Sequence, residues 1–320
     1  MAILTILVPI LILIIAILIT YSPIDPSSHI LNYAPHLKPE LLTVKLTKDL
    51  VKKHFNDKLL GPESFARHPK TGNVFTGTAD GKIWKIDPIN FHLTEIMRIG
   101  TDDDNCGKSF QYEPICGRPM GMKFDKNGRL IVVDAYFGLL SVNVETQVAD
   151  VLISRGYFKD SEPLRFLNGL DIGNDGIIYF SVSSSKWDRM HYRYAVIEMN
   201  NDGKVFSYNP VTKELKTLAK GLYMPTGLCL TYDDQKSLLI SEMTISRISK
   251  LNLNGSSKVE TIADNLPGYI DNIHRNSRGT FYLGVVVSRY TSQDPFGFGI
   301  DIVPILDLLA PYPKIKKLMA

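Results

Sequence analysis

Apolar positions are arranged along this chain in two different ways. Residues 2–19 (AILTILVPILILIIAILI) form one uncharged run, interrupted only by Thr5 and Pro9. At about 1.5 Å per residue, a helix of that length roughly matches a hydrocarbon core of about 30 Å. Residues 1–20 are therefore expected to be a transmembrane anchor. A secretory signal usually has a shorter apolar region, a basic start and a small-residue cleavage site. None of the three is clear here, which favours an anchor that is not cleaved. The first Lys or Arg is Lys38, so flanking charge does not orient it. Residues 21–40, rich in Pro and Ser, read as a stalk. Beyond them the pattern changes to short runs of period two between Gly-, Asn- and Asp-bearing turns, which predicts β-strands.

The strand pattern repeats. Copies begin at Gly61 (GPESFARHPKTGNVFTGTADGKIWKID), Gly117 (GRPMGMKFDKNGRLIVVDAYFGLLSVN), Phe166 (FLNGLDIGNDGIIYFSVSSS), Met224 (MPTGLCLTYDDQKSLLISEMTISRISKLN) and Tyr269 (YIDNIHRNSRGTFYLGVVVS). The equivalent turn positions are Glu63, Met120, Asn168, Thr226 and Asp271. Their spacing suits four-stranded blades with loops of variable length. A β-sandwich would have similar strands without the self-similarity. The expected fold is all-β, a β-propeller over residues 41–298. Segment 41–60 is a candidate outer strand, and nothing after Tyr290 reads as another set of three. Segment 299–320 is apolar with a basic end and three prolines. It reads either as an inter-blade loop or as a membrane-surface segment with Lys314, Lys316 and Lys317 toward head groups.

Charge and cysteines narrow the setting. The 36 Lys+Arg and 33 Asp+Glu leave a net charge of +3 with no basic cluster, which excludes a nucleic-acid-binding footprint. Of three cysteines, Cys106 and Cys116 flank one polar loop and are expected to pair, while Cys229 sits in an apolar strand as a buried free thiol. Asn254-Gly-Ser256 is a glycosylation sequon at a hairpin turn. Anchor, cysteine pair and sequon together place residues 21–320 in the lumen or outside the cell.

Seven stretches carry a resemblance: GPESF (61–65), TGTADGKIWK (76–85), EPICGRPMG (113–121), VVDAYFGLL (132–140), FLNGLDI (166–172), YFSVSSSKW (179–187) and GYIDNI (268–273). Together they resemble the strictosidine synthase-like family, in particular its membrane-bound branch, the adipocyte plasma membrane-associated proteins. The resemblance covers about residues 61–320. It implies a six-bladed propeller related to paraoxonases and gluconolactonases, here lacking most of the last blade. It also implies calcium on the central axis and hydrolysis of esters or lactones. Strictosidine synthase itself condenses an amine with an aldehyde and needs no metal, a third reading that rests on the family name alone.

By that resemblance the candidate calcium ligands are Glu63, Asn168, Thr226, Asp271 and Asn272. Calcium is a hard cation that takes 6–8 oxygens, which short side chains from several blades could supply. Asn and Asp beside Gly are also ordinary turn residues that cap their own backbone. Two departures stand out. Thr226 replaces the Asn of a Pro-Asn-Gly turn, and Ser181-Val182 replaces the Asp of a YFTDSSS motif. The histidine pair of paraoxonases has no counterpart in Arg118-Pro119-Met120-Gly121 or Val133-Asp134-Ala135, and the chain reaches Ala320 before the blade that carries the glutamate of strictosidine synthase. Of the seven histidines only His274 falls near the expected axis. No catalytic residue is assigned. Ser183-Ser184-Ser185 reads as a solvated hairpin edge rather than a nucleophile cluster, Trp84 and Trp187 as packing between blades, and Arg118 either as an anion contact at the tunnel mouth or as a structural ion pair. The expected function is a calcium-dependent hydrolase of small lipophilic esters or lactones, of arylesterase type. The alternative is a catalytically silent propeller that binds a ligand or protein partner at the membrane.

Overall fold

The structure is a computed structural model that describes residues 2–32, 34–35, 52–159, 162–255, 258–289 and 311–319. Four antiparallel sheets of four strands follow one another along the chain. The first joins β1 (Phe65–Arg67), β2 (Val74–Gly77), β3 (Lys82–Ile86) and β4 (Leu93–Arg98). The second joins β5 (Pro119–Phe124), β6 (Leu130–Asp134), β7 (Gly138–Asn143) and β8 (Val148–Ile153). After a small hairpin of β9 (Phe158–Lys159) and β10 (Glu162–Pro163) comes the third, β11 (Leu167–Ile172), β12 (Ile178–Val182), β13 (Gly203–Tyr208) and β14 (Leu215–Leu222). The fourth holds β15 (Pro225–Leu230), β16 (Ser237–Glu242), β17 (Arg247–Asn252) and β18 (Val259–Ala263). A fifth, two-stranded sheet pairs β19 (Gly268–Arg275) with β20 (Phe281–Ser288). Each sheet is a blade, and the innermost strands β1, β5, β11, β15 and β19 pack in succession around a common axis.

Alternation builds the core. Val132 faces blade one, among Ala66, Phe75 and Ile83, whereas its neighbour Val133 faces blade three, among Leu167, Phe180 and Phe206. Tyr179 and Val205 pack on Leu228 and Ile240 of blade four in the same way. Cys229 and Leu239 then meet Ile270 and Ile273 of blade five. Central strands are thus buried on both sides, which is why β6, β12 and β16 carry apolar residues at consecutive positions. Tight turns are held by aspartates: Asp125 Oδ1 accepts from Asn127 N at 2.9 Å and Arg129 N at 2.8 Å.

The N-terminal helix runs from Ala2 to Thr20, and the side chains from Leu7 to Leu18 stand largely exposed. Among the described residues, no helix is long and apolar enough to cross a membrane; the side chains of this helix are described from residue 7 onward. The segment after it is not a free stalk. Ile24 is buried, Asp25 N donates to Glu198 Oε1 at 2.6 Å, and Asn200 Nδ2 donates to Asp25 O at 3.1 Å. Proline removes backbone donors and fixes φ, so an arm rich in it lies extended with few bonds to satisfy, and docks through side chains instead.

A C-terminal helix, Pro313–Met319, packs on the N-terminal helix and on the Tyr192–Glu198 helix. Lys316 is fully buried there, and Lys317 pairs with Asp25 at 3.2 Å. That corrects the picture of a row of lysines facing head groups, because the short helix turns Lys316 inward. Residues 41–51 and 290–310 lie outside the described residues, and with them most of the candidate outer strand and of segment 299–320.

Candidate axial site

In blades two to five the inner strand carries a register shift at the same place: Pro119/Met122, Leu167/Leu170, Pro225/Leu228 and Ile270/Ile273. These are β-bulges, which re-aim side chains locally. They contain Met120, Asn168, Thr226 and Asp271-Asn272, the positions expected from the repeats. Glycine after the bulged residue lets neighbouring strands approach. A Cβ at Gly169 would lie 2.2 Å from Thr226 O, and one at Gly227 would lie 2.5 Å from Asp271 O.

The structure joins some of the expected ligands directly and places Asn168 on a neighbouring bulge. Asn272 Nδ2 donates to Glu63 Oε1 at 3.3 Å, joining blade five to the start of blade one. Thr226 is buried, and its hydroxyl donates to the carbonyls of Ile270 (3.3 Å) and Asp271 (3.2 Å). Asn168 is buried and donates Nδ2 to Ser183 Oγ at 3.1 Å. Asn168 Oδ1 and Asp271 Oδ1 are enclosed with no hydrogen-bond partner. Burial, reinforced by the charge of Glu63, pushes the Asp271 carboxyl well above the usual carboxylate range. Met120 holds the blade-two position and is apolar and buried.

Further charges surround this ring. Arg118 is buried, donates to Gly61 O at 2.8 Å, and stands 3.7 Å from Glu63 and 4.0 Å from Glu113. Tyr136 Oη donates to Glu113 Oε2 at 3.3 Å. Asp134 is fully buried and accepts from Tyr136 N at 2.8 Å and Phe137 N at 2.9 Å, while its Oδ2 has no partner. Burial lifts its pKa to about 6. Arg189, which acts electrostatically on Glu113 and Asp271, lies against the rings of both Phe110 (4.9 Å) and Tyr192 (4.7 Å). Glu63, Glu113, Asp134 and Asp271 thus face two guanidinium groups, and the pocket is short of positive charge.

Two insertions meet beside the ring. One is the loop between β4 and β5, closed by the Cys106–Cys116 disulfide, as expected for that pair. The other is residues 183–202, joined to it by the Phe110–Tyr192 edge contact at 5.7 Å. Met120, Tyr136, Phe166, Met224, Met243 and Tyr269 form one apolar cluster beside the polar ring. Two surface cavities lie elsewhere: one of about 310 Å³ includes Ile153 and Tyr208, and one of about 710 Å³ includes Phe65 and Phe91.

Several expectations change. Ser183 and Ser184 are buried rather than solvated, and they bond to Pro225 O and Asp202. Arg118 takes the ion-pair role. Trp187 packs against the cluster of Met120, Phe166, Met224 and Tyr269 from successive blades and donates to Glu198, and Trp84 donates to Thr78 Oγ1 at 3.1 Å. His274 is exposed, with Asp171 and Lys123 as its charged neighbours rather than the axial carboxylates. Cys229 is a buried free thiol, pushed up to about 11 by burial. Asn254 is exposed at the turn after β17, and Ser256 of its sequon lies outside the described residues. Glu113, Asp134 and Arg189 were missed. Only the acid that opens the short Glu113–Cys116 helix and the single Asp inside an apolar strand pointed to the first two.

The strictosidine synthase family profile matches residues 168–256. Adipocyte plasma membrane-associated protein of Danio rerio is 37% identical over 311 residues, covering 96% of this chain and 70% of its own. That of Homo sapiens is 35% identical over 309 residues, covering 95% and 70%. That of Salmo salar is 40% identical over 268 residues, covering 83% of this chain; the match spans 61% of the salmon protein's length. Among solved structures, a gluconolactonase of Xanthomonas campestris aligns with a TM-score of 0.54 at 14% identity, covering 72% of this chain and 71% of that one. Regucalcin of Agrobacterium tumefaciens, a calcium-binding protein, aligns at 0.52 and 12%, covering 70% and 67%. At such identities these two likenesses concern the fold alone.

Proposed function

Because the chain belongs to the family of the adipocyte plasma membrane-associated proteins, a branch of the strictosidine synthase-like propellers, we propose that it is a membrane-anchored propeller whose axial site binds calcium and hydrolyses small lipophilic esters or lactones. The observation that carries this reading is that two axial bulges each hold an enclosed, partnerless acceptor, Asn168 Oδ1 and Asp271 Oδ1, the second within electrostatic reach of Glu63. Buried polar atoms without partners are uncommon in native proteins and call for an explanation. An oxygen-only donor set with two carboxylates fits a hard cation. Among the described residues there is no group of three or more His, Cys, Asp and Glu able to hold a metal; a set of two acids and two amides falls outside that pattern.

Glu63, Asn168, Asp271 and Asn272 would hold the ion, with Thr226 as the weakest contributor. Bound calcium would polarise the carbonyl of the substrate. The chain's own groups do the rest. Asp271 is placed to take a proton from water, Arg118 and Arg189 carry donors for developing negative charge, and the Phe166–Met224–Tyr269 cluster suits an apolar acyl or aryl group. The exposed apolar side chains from Leu7 to Leu18 suit a lipid environment, with the propeller lumenal or extracellular, where the disulfide persists and Asn254 can carry glycan.

The silent alternative is favoured by one observation: among the described residues, no histidine lies at the axis. Hydrolysis of an aryl ester by the full chain, with and without chelator, decides between them. Calcium-dependent turnover lost in Asp271→Asn supports the hydrolase. Calcium that raises the melting temperature without turnover supports the binding protein.

A further inference from the structure

The cavity of about 310 Å³ opens at the outer rim of the propeller, away from the axial ring. Its walls come from β8, the outermost strand of blade two, from Tyr157 just beyond it, and from β13, β14 and the turn between them in blade three. Ile153, Tyr208 and Leu215 make the floor; all three are buried and belong to one apolar cluster. Val151 and Tyr157, 61% and 45% exposed, form the lip. An apolar floor with a few polar groups at its edge is the usual make-up of a small-molecule site, and the volume is at the lower end of the usual range.

Lys213 is the only charged residue in the lining. Its turn fixes it there. Asn209 Oδ1 accepts from Val211 N at 2.9 Å and Thr212 N at 3.2 Å, and Lys213 N donates to Asn209 O at 2.9 Å. Lys213 takes a left-handed backbone with φ of 63°, a conformation that glycine or asparagine adopts more cheaply. The adjacent Glu214 pairs with Lys216 at 3.1 Å and does not line the cavity. The other polar side-chain atoms of the lining are the tyrosine hydroxyls. Burial pushes the pKa of Tyr208 above its usual range, so its hydroxyl stays protonated and able to donate. Donors and one ammonium at the edge of an aromatic, apolar floor complement a small aromatic acid: the ring displaces water from the floor while the carboxylate stays at the rim beside the cation.

We propose that this groove between blades two and three binds a small aryl monocarboxylate, its ring on Tyr208 and Leu215 and its carboxylate on Lys213 Nζ. The site needs neither calcium at the axis nor a membrane anchor, so it stands apart from the function proposed above.

Titration calorimetry of the full chain in one detergent tests this with naphthalene-2-carboxylate and its uncharged analogue, naphthalene-2-carboxamide. The acid is expected to bind about fivefold more tightly than the amide, the scale of one solvent-exposed ion pair. Lys213→Met should erase that preference and leave amide binding unchanged, and Lys213→Arg should keep it. Lys213→Asn, which tolerates the left-handed turn, repeats the loss in a protein that folds at least as well as wild type. Val151→Trp, a substitution at an exposed lip position, should abolish binding of both compounds. No binding, equal affinity for acid and amide, or a preference that survives Lys213→Met would overturn the site. Binding unchanged in Val151→Trp would place the ligand elsewhere and overturn it as well.

Discussion

Asn168 donates Nδ2 to Ser183 Oγ at 3.1 Å, and Ser183 donates its only proton to Pro225 O at 2.8 Å. The serine must therefore accept from the asparagine, which fixes the amide with Oδ1 turned away and bare. A residue in blade three thus aims a candidate ligand by means of a carbonyl in blade four. Ser183→Ala releases the amide to rotate. The expected result is several-fold weaker calcium binding, for a hydrogen bond worth about 1 kcal/mol, read from the dependence of melting temperature on calcium. Unchanged affinity would remove Asn168 from the set.

Thr226 offers a hydroxyl where the related turn carries an amide, and that hydroxyl is already bonded to Ile270 O and Asp271 O. Thr226→Asn supplies a longer acceptor at the same bulge. Tighter calcium binding is expected by the same titration, and no gain would show that the ring is not built around this position.

Asp134 and Asp271 predict an unusual pH profile. Both carboxyls lie above their ordinary range in the folded protein, Asp134 at about 6 against an ordinary 3.8. The native state therefore holds these protons more tightly than the unfolded chain. Their cost is full above about pH 6 for Asp134 and about pH 7 for Asp271, and fades as pH falls toward 4; for Asp134 it is about 3 kcal/mol. In chelator, stability should rise on acidification from about pH 8 to 5. Asp134→Asn keeps the bonds from Tyr136 N and Phe137 N and should flatten that rise. Parallel profiles for the two proteins would refute the assignment.

The turn positions of the repeats were legible because a bulge recurs at one place in the inner strands of blades two to five, with glycine in three of them. Glu63, Asn168, Thr226 and Asp271 could be named from spacing as equivalent turn positions, and the last three fall on the bulges of their blades. Ser183 could not, because its acceptor lies in the next blade, and a run of three serines after a strand reads locally as a turn. Ile24 and Lys316 escaped for a related reason. A Pro/Ser-rich arm and the sequence PKIKK look solvated in isolation, and their burial depends on meeting each other across nearly the whole chain. Cys106 and Cys116, ten residues apart, were readable as a pair because the partner is local.

That disulfide closes the loop that carries Glu113 and leads into Arg118. Reducing it should cost about 2–3 kcal/mol on the chain-entropy estimate, with Cys229 silent toward alkylation in the folded protein. Peptide mapping without reductant should recover Cys106 joined to Cys116. Finding Cys229 in a mixed disulfide would contradict the burial described above.

The last prediction concerns β20, Phe281–Ser288. Among the described residues it pairs with β19 alone, whereas every complete blade adds two further strands. It carries no charge and no proline, and Tyr282, Val285 and Val286 are each more than half exposed. Natural sheets protect such edges with lysine, proline or a cover, because an open edge pairs with other chains. Val286 sits at the register shift between Tyr269/Val287 and Ile270/Val285, so its side chain is not committed to the ladder. Val286→Lys places a charge there at little cost to the fold. The full chain in detergent should show less concentration-dependent association by light scattering, with melting temperature nearly unchanged. If the variant associates as wild type does, the edge is covered in the intact protein. If it unfolds, Val286 is part of a packed face that the exposed strand does not reveal.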